Sequence, residues 1–183
     1  MKVDLSKYDN SWYNPGRGAI GRGIWYLVNA VFFISPFFPV SSLKVWLLRL
    51  FGAEIGQGVV IKPRVNIKYP WHLKVGDYSW IGEEVWIDNL SKVTIGSHCC
   101  LSQGAMLLCG NHDFTSKTFD LMVGEIVLED GVWIGANAVV PGNTTCGSHS
   151  VLTVQSVASG RLESCWIYRG NPAEKMKPRA ITH

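Results

Sequence analysis

The sequence predicts a mainly β protein: a solenoid of short parallel strands, with a helical segment before it and a tail with a short helix after it. From Ile55 onward the chain can be written as fourteen rows of six, such as "IGEEVW" and "IGANAV", and an aliphatic residue heads thirteen of them. Ile55, Val75 and Ile95 are 20 residues apart, which is three sixes plus two. The fifth position of most rows is small or β-branched. An amphipathic helix would need a period near ~3.6 residues, so these spacings favour stacked coils of extended chain.

The alternation of side chains along a strand turns this period into a core. Positions one, five and seven of a row differ by even numbers, so their side chains lie on one face. Six extended residues span about 20 Å. A Gly, Asp or Asn near each row boundary allows the backbone to turn a corner. Three such sides close a triangular coil, which we expect over residues 55–157.

The N-terminal segment, residues 1–54, is predicted to be helical. Pro36 and Pro39 interrupt its apolar run, so it contains no unbroken stretch of the about 20 apolar residues that a spanning helix needs. Two short helices fit better, at roughly 20–34 and 41–51, with Ser41 or Ser42 as the N-cap of the second.

These helices are expected to pack on the coil. A second interpretation is that residues 20–50 also make peripheral contact with a membrane surface through their apolar side chains. Four basic residues of the segment would assist that contact: Arg17, Arg22, Lys44 and Arg49.

The repeat breaks once, at an insertion of about residues 109–127 that begins with "CGNHDF". Loops held by a rigid scaffold often carry function. His112 lies at the root of this loop, and an imidazole with a pKa near ~6.5 suits proton removal from a hydroxyl at neutral pH. We therefore predict His112 as a general base, the alternative being a solvated surface histidine. Cys109 is close enough to be considered as a nucleophile but ranks as a wall residue.

Rows such as "IGEEVW", "IGSHCC" and "IGANAV" resemble those of the hexapeptide-repeat acyltransferases. The segments "VWIDNL", "LSQGAMLLCGNHDF" and "GNPAEKMKPR" are most similar to the colanic acid and exopolysaccharide biosynthesis sugar O-acetyltransferases. The resemblance covers about residues 55–173. It implies a left-handed parallel β-helix, a homotrimer with active sites between subunits, and direct acetyl transfer from acetyl-CoA to a sugar hydroxyl. In related galactoside and maltose acetyltransferases, the catalytic histidine follows "VTIG" at the distance between Val93 and His112.

The resemblance also suggests binding residues, each with a structural alternative. On the acceptor side, Asp88, Asn89 and Asp113 would contact the sugar, or would simply form turns, and Asp113 could instead orient His112. On the donor side, small residues beside the groove would line CoA and an indole would flank its pantetheine: Gly135, Ala136, Thr153 and Trp133. Basic residues of the 158–183 tail would pair with its phosphates: Arg169, Lys175, Lys177 and Arg179. Their alternative is a solvated short helix that Pro172 opens.

Two apolar strips are expected on the outside of the coil. Trp80, Trp86 and Trp133 occupy the sixth position of their rows, an odd offset from the core residues, so their side chains face outward. One strip combines Trp80 and Trp133 with Cys100, and the other joins Trp86 to Met106 and Val139. Strips of this kind are covered by a partner subunit, by a ligand or by the N-terminal helices.

Composition excludes several classes of protein. The net charge of +3 provides no basic stripe, so no nucleic acid is expected as a partner. Five cysteines without a C-x-x-C pair indicate reduced thiols in a cytoplasmic protein, the alternative being a disulfide framework. Residues 1–10 carry Asp4 and Asp9 and lack the apolar core of a signal peptide.

Two rival functions remain open. The first is a metal enzyme similar to the γ-type carbonic anhydrases, which would need His98, His112 and His149 to converge on zinc. The second is a non-catalytic solenoid that serves as a binding module. Under the acetyltransferase prediction no metal is expected. The acceptor, whether a free, nucleotide-linked or lipid-linked sugar or oligosaccharide, and the length of the acyl chain stay undetermined.

Overall fold

The computed structural model describes residues 2–181. Two α-helices precede the coil, α1 (Ala19–Val28), which continues as a π-helical segment (Asn29–Ile34), and α2 (Ser41–Leu50). Short 3₁₀ turns occupy Leu5–Lys7 and Pro70–His72. The strands follow in chain order: β1 (Glu54–Ile55), β2 (Val60–Ile61), β3 (Asn66–Ile67), β4 (Leu73–Val75), β5 (Trp80–Ile81), β6 (Trp86–Asp88), β7 (Val93–Ile95), β8 (Cys100–Leu101), β9 (Met106–Leu108), β10 (Gly110–His112), β11 (Leu121–Val123), β12 (Ile126–Leu128), β13 (Trp133–Ile134), β14 (Val139–Pro141), β15 (Thr144–Cys146), β16 (Val151–Leu152), β17 (Arg161–Leu162), β18 (Trp166–Gly170) and β19 (Ala173–Pro178).

Three sheets form the sides of the coil, and each of the first four turns of the chain adds one strand to each side. Their orders are β1-β4-β7-β12-β15-β17, β2-β5-β8-β13-β16-β18-β19 and β3-β6-β9-β14. The pairs are parallel up to β18, and Ile55 pairs with Val75, which pairs with Ile95. The spacing of 20 residues is therefore one turn, and the predicted parallel β-solenoid is confirmed.

The core is the predicted aliphatic column. All fourteen residues that head the rows are buried: Ile55, Ile61, Ile67, Val75, Ile81, Ile87, Ile95, Leu101, Leu107, Leu128, Ile134, Val140, Cys146 and Leu152. The small or β-branched residues at position five are buried as well: Val59, Val65, Ser79, Val85, Cys99, Ala105, Val132, Ala138, Thr144, Ser150 and Ser156. Alternation along the strands thus accounts for most of the core.

The two predicted helices are present, and they cap the first coil. Trp25 and Phe33 join the core cluster, and the Trp25 indole donates a hydrogen bond to the Ile67 carbonyl at 2.8 Å. The predicted N-cap of the second helix is wrong, because α2 begins at Ser41 with Val40 as its cap. The Ser41 hydroxyl oxygen instead accepts the amide N–H of Ile61 at 2.8 Å, which attaches the helix to β2.

The predicted helix in the C-terminal tail is wrong. The stretch Ala173–Pro178 is a strand, β19, which forms an antiparallel hairpin with β18. β18 itself pairs in parallel with β16, so the solenoid continues beyond residue 157. Tyr168 in β18 is buried against the core cluster. The tail is extended because its first strand completes another turn of the coil and its second strand pairs with the first.

Both external strips are present, in the predicted register. Trp80, Cys100 and Trp133 are neighbours on three successive strands, as are Trp86, Met106 and Val139. The three indoles are between 41% and 58% exposed, so the N-terminal helices leave much of each uncovered.

Candidate active site

The insertion that interrupts the coil is a β-hairpin. Its strands β10 and β11 pair antiparallel, with His112 opposite Leu121. The Gly124 amide donates to the Cys109 carbonyl at 2.9 Å, which closes the base of the hairpin. The coil resumes at Ile126, which pairs with Val93. His112 is therefore carried on a short, paired strand that the solenoid holds at both ends.

The His112 ring is fixed by the same hairpin. Its Nδ1 lies 2.9 Å from the carbonyl oxygen of Phe119. Since a carbonyl can only accept, Nδ1 must carry the proton, and Nε2 of the neutral ring then keeps its lone pair. The Phe119 ring stacks on the imidazole, with 4.4 Å between the ring centroids and 8° between the ring planes. The centroid of the Tyr8 ring lies 5.7 Å from that of the imidazole. This arrangement presets the tautomer that a general base requires.

A cavity of about 580 Å³ lies beside this ring. Its walls combine residues of the first two coils, the hairpin and the N-terminal residues, and most of them carry hydrogen-bonding groups. The lining is Tyr8, Asn10, Ser11, Tyr13, Pro15, Arg22, Lys68, Tyr69, Asp88, Leu90, Gly110, His112 and Leu121. Phenols, amides and a carboxylate around one histidine suit a polyhydroxylated ligand.

An N-terminal arm, residues 2–15, forms one wall of the cavity. The Asp4 amide donates to the Lys117 carbonyl in the hairpin at 2.9 Å, and the Tyr13 hydroxyl donates to the Leu90 carbonyl at 2.7 Å. Burial raises the pKa of Tyr13, so its phenol stays protonated as a donor. Sequence reasoning missed this arm, because it has no hydrophobic period. The aromatic residues Tyr8 and Tyr13 in a polar stretch were the available signal.

The three predicted acceptor residues lie in different environments. Asp88 lines the cavity and forms an ion pair with Lys68 at 2.9 Å. Asn89 is fully buried, and its amide exchanges two hydrogen bonds with the Tyr69 backbone, at 2.9 and 2.5 Å. This geometry favours the alternative role of Asn89, in which it holds the corner of the coil.

Asp113 is part of a turn and does not line the cavity. Its carboxylate accepts from the amide and the hydroxyl of Thr115, at 2.8 and 2.6 Å. These two bonds lower its pKa. The geometry again favours the turn interpretation.

Cys109 is a buried wall residue. Burial raises the pKa of its thiol to about 11, so it remains protonated at neutral pH. Its Sγ points toward the Ser91 carbonyl at 3.7 Å. All five cysteines are free thiols.

Comparison with known proteins settles the family. The chain is 36% identical over 179 residues to WcaF of Escherichia coli (strain K12), which is named as a colanic acid biosynthesis acetyltransferase, and the alignment covers 98% of each chain. The chain belongs to the WcaF family of acetyltransferases. No protein-family model matches it.

Solved structures of more distant proteins share the fold. The hexapeptide-repeat acetyltransferase VCA0836 of Vibrio cholerae, complexed with acetyl-CoA, is 20% identical with a TM-score of 0.77, covering 88% of this chain and 87% of its own. A galactoside acetyltransferase in complex with CoA is 20% identical with a TM-score of 0.78, covering 87% of this chain and 80% of its own. These likenesses show that the WcaF-family chain has the hexapeptide-repeat fold.

In this WcaF-family chain, the predicted donor residues lie on the later turns of the coil. Trp133 is partly exposed, and its indole donates to the Ser102 hydroxyl at 2.9 Å. Gly135 is packed so closely on the next turn that a Cβ would lie 2.6 Å from the Val154 nitrogen, which is a structural reason for the glycine. Thr153 pairs with the Ser156 hydroxyl at 3.0 Å, and Ala136 is half-buried. Donor binding by these four residues stays a prediction.

Two of the four basic residues of the tail make contacts within the chain. Lys175 pairs with Glu163 at 2.6 Å and lies over the Trp166 ring, 3.8 Å from its centroid. Arg179 donates from Nη1 to the carbonyls of Gly131 and His149, at 2.9 and 3.1 Å, which fixes the end of the tail to the coil. The side chains of Arg169 and Lys177 are exposed on β18 and β19. Phosphate binding by this set stays a prediction.

The histidines of the rival metal site occupy separate places. His98 and His149 sit at corners of the coil with φ near +56° and +59°, and His98 stacks on Tyr78. Within residues 2–181, no group of three or more His, Cys, Asp or Glu side chains is arranged to hold a metal ion. In the same range, no helix has the length and apolarity that crossing a membrane requires.

Proposed function

We propose that this protein is an acetyl-CoA-dependent O-acetyltransferase that acts on a sugar hydroxyl in the biosynthesis of a polysaccharide, with His112 as the general base. The observation that carries the proposal is the bond between His112 Nδ1 and the Phe119 carbonyl beside a polar cavity. It leaves Nε2 as the basic atom of a ring that is stacked in place.

The proposed reaction is a direct transfer. The acceptor hydroxyl gives its proton to Nε2 of His112, and its oxygen attacks the thioester carbonyl carbon of acetyl-CoA. The carbon–sulfur bond then breaks, and the CoA thiolate takes the proton from the imidazolium. General-base assistance of this kind contributes about 10²–10⁴ in rate. The protonated state of Cys109 supports a route without a covalent enzyme intermediate.

The acceptor class is supported by the lining of the cavity. Asp88 is 14% exposed and paired with Lys68, so its carboxylate is held in position while it still borders the cavity. Tyr8, Tyr13 and Tyr69 add aromatic faces and hydroxyl groups. Carboxylates and aromatic faces are suitable partners for the hydroxyls and the C–H surface of a sugar ring. The name of the 36%-identical relative, which refers to colanic acid, agrees with this class.

The donor is proposed from the family and the fold. The chain belongs to an acetyltransferase family, and two structures of the same fold were solved with acetyl-CoA and with CoA. The donor would lie along the later turns, near Trp133 and Gly135.

A homotrimer in the cytoplasm, with active sites between subunits, is part of the same proposal. The two exposed strips that contain Trp80, Trp86 and Trp133 support it, since apolar strips of this kind need a cover. Peripheral contact of residues 20–50 with the inner face of a membrane is included, on the strength of their exposed apolar side chains.

Release of CoA in the presence of sugar acceptors tests the proposal. We expect His112→Gln to lower the rate by about 10²–10⁴ while acetyl-CoA still raises the melting temperature. His98→Gln is the matched control, because His98 lies at an exposed corner outside the cavity, and it should keep the full rate. Full activity of His112→Gln would overturn the proposed base. No thermal shift with acetyl-CoA and no CoA release with any sugar would favour a non-catalytic module.

A further inference from the structure

The helix formed by α1 and its π-helical continuation, residues 19–34, has two apolar faces. One face packs on the coil through Trp25, Asn29 and Phe33, all of which are buried. The other carries an outward stripe at successive spacings of four and three residues, with side chains 42% to 82% exposed: Ile20, Ile24, Leu27, Val31 and Ile34. A helix that only covers the end of the coil needs one apolar face for packing. The second apolar face takes no part in that packing and stays exposed.

Exposed apolar side chains also follow the helix along the chain. Phe37 follows it and is 89% exposed, and Trp46 on α2 is 56% exposed. Several large apolar side chains exposed on one helix face mark an interaction site. Because the stripe lies on a convex helix, it suits a deformable apolar phase better than a matching groove.

The charge of this segment favours a lipid surface, rather than a second copy of the chain, as the partner of the stripe. Residues 10–53 contain four basic residues, Arg17, Arg22, Lys44 and Arg49, and no acidic residue. The whole chain is +3, so the remainder is +3 minus +4, or −1. Contact between two copies of this segment would bring like charges together, whereas anionic lipid headgroups would attract them. Arg17 and Arg49 are exposed at the surface and Arg22 is half-buried, whereas Lys44 is fully buried with its ammonium on the Lys62 carbonyl, so the three arginines would provide this attraction.

The length of the helix decides how it would meet a bilayer. Its 16 residues span about 24 Å, which is less than the about 30 Å of a hydrocarbon core. Its buried face is also bonded to the coil through Trp25 and Asn29. The helix is therefore restricted to lying in the plane of the interface.

We propose that residues 17–50 form a binding surface for anionic membranes, in which the outward stripe enters the headgroup–acyl boundary as an in-plane helix. Surfaces of this type combine a buried apolar face with attraction between basic residues and anionic lipids. The proposal deepens the peripheral membrane contact included in the proposed function, and it rests on this surface and not on the proposed acetyl transfer.

The position of the surface gives the contact a consequence for the candidate site. A second cavity, of about 440 Å³, lies between the helix and the coil and is bordered by Tyr26 and Ile34. It shares Arg22, Lys68, Tyr69 and Asp88 with the cavity beside His112. A protein seated on the stripe would hold the acceptor cavity close to the headgroups.

Vesicle flotation tests the proposal with the full-length protein. The probes are phosphatidylcholine vesicles with and without phosphatidylglycerol. The test variant is Ile24→Gln/Leu27→Gln/Val31→Gln, whose side chains line neither cavity. The matched control is Val154→Gln/Met176→Gln, which removes apolar side chains of similar exposure, 59% and 56%, elsewhere on the surface.

We expect the wild type and the control to float with phosphatidylglycerol vesicles, and the stripe variant to bind at least about 10-fold more weakly. Binding of the wild type should fall without phosphatidylglycerol. CoA release with a soluble acceptor should be equal in all three proteins, so that a failure of lipid binding is separate from a failure of catalysis.

Three results would overturn the proposal. They are a wild type that floats with neither vesicle, a stripe variant that floats as well as the control, and a wild type that binds both vesicles equally. Light scattering adds a fourth: loss of the native oligomer in the stripe variant alone would assign the stripe to a contact between copies.

Discussion

The coil and the N-terminal cap are stabilised in different ways. In the coil, each core residue stacks on an equivalent residue one turn away, as Ile67, Ile87 and Leu107 do. In the cap, the contacts are individual: the Trp25 indole binds the Ile67 carbonyl, and the Lys44 ammonium binds the Lys62 carbonyl, both at 2.8 Å.

The difference shows what a repeat can and cannot encode. A column of aliphatic side chains tolerates the exchange of one aliphatic residue for another. Its stability depends on side chains filling the core in every turn of the coil. A cap made of aromatic and polar groups depends on particular pairs of atoms. The two regions should therefore respond differently to loss of volume and to loss of a hydrogen bond.

The largest effect is expected from loss of volume in the coil. Ile87→Ala should lower the free energy of unfolding by about 2–5 kcal/mol, because the side chain is fully buried between two other aliphatic residues. Urea unfolding followed by circular dichroism measures it. Val154→Ala, at a 59% exposed position, is the control and should change stability by less than about 0.5 kcal/mol. Equal losses of unfolding free energy in both variants would show that the aliphatic column is not the main source of stability.

A specific polar pair in the cap should give a smaller loss. The Asn29 amide donates to Asn66 Oδ1 at 2.8 Å, and Asn29 is buried. Asn29→Ala leaves buried groups without partners, so we expect a loss of about 1–3 kcal/mol in unfolding free energy.

A double-mutant cycle with Asn66→Ala isolates this pair. The double variant should lose less than the sum of the two single variants, since each removes the same bond. Strict additivity would show that the cap does not depend on the pair.

The buried cation of the cap should appear in the pH dependence of stability. Burial lowers the pKa of Lys44 from 10.5 to about 8. Between those values the unfolded chain binds the proton and the folded chain does not, so stability rises with pH, by at most about 1.4 kcal/mol per unit. Lys44→Met lacks this group, and the stability of the wild type relative to that variant should increase as the pH is raised above about 8. If the difference in unfolding free energy between the wild type and Lys44→Met stays constant with pH, Lys44 does not lose its proton on folding.

The smallest effect is expected where the arm meets the coil. Tyr13→Phe removes only the hydroxyl that binds the Leu90 carbonyl at 2.7 Å. We expect a loss of about 0.5–1.5 kcal/mol in unfolding free energy. Because Tyr13 lines the cavity, the KM for the acceptor should rise while the KM for acetyl-CoA stays constant. Tyr26→Phe, an exposed tyrosine that lies outside the first cavity, is the control. A rise in both KM values would indicate a general loss of structure.

The same contrast explains how far the sequence could be interpreted. The row period predicted the core from Ile55 to Leu152, because every turn repeats one set of contacts. His112 could be selected as a candidate base because it stands where the period is interrupted, and its role stays a prediction. The Tyr8 and Tyr13 wall could not be predicted, because those residues meet the hairpin and Leu90 through contacts without a period.

The tail illustrates a further limit. Pro172 near the start of a basic stretch favours a helix when local signals are considered alone. The pairing of β18 with β16 decides otherwise, since it places an extended strand on which β19 can pair. Local signals are overridden where the end of the coil offers a strand to pair with.

A crystal soaked with acetyl-CoA tests the central claim most directly, namely that the coil and hairpin hold His112 with Nδ1 on the Phe119 carbonyl and Nε2 toward the reaction. The account predicts an unchanged ring and a thioester at the cavity beside Nε2. The remaining space should let an acceptor oxygen lie within about 2.6–3.2 Å of Nε2 and about 3–3.5 Å of the carbonyl carbon. A thioester bound away from that cavity, or a ring whose Nε2 faces the Phe119 carbonyl, would contradict it.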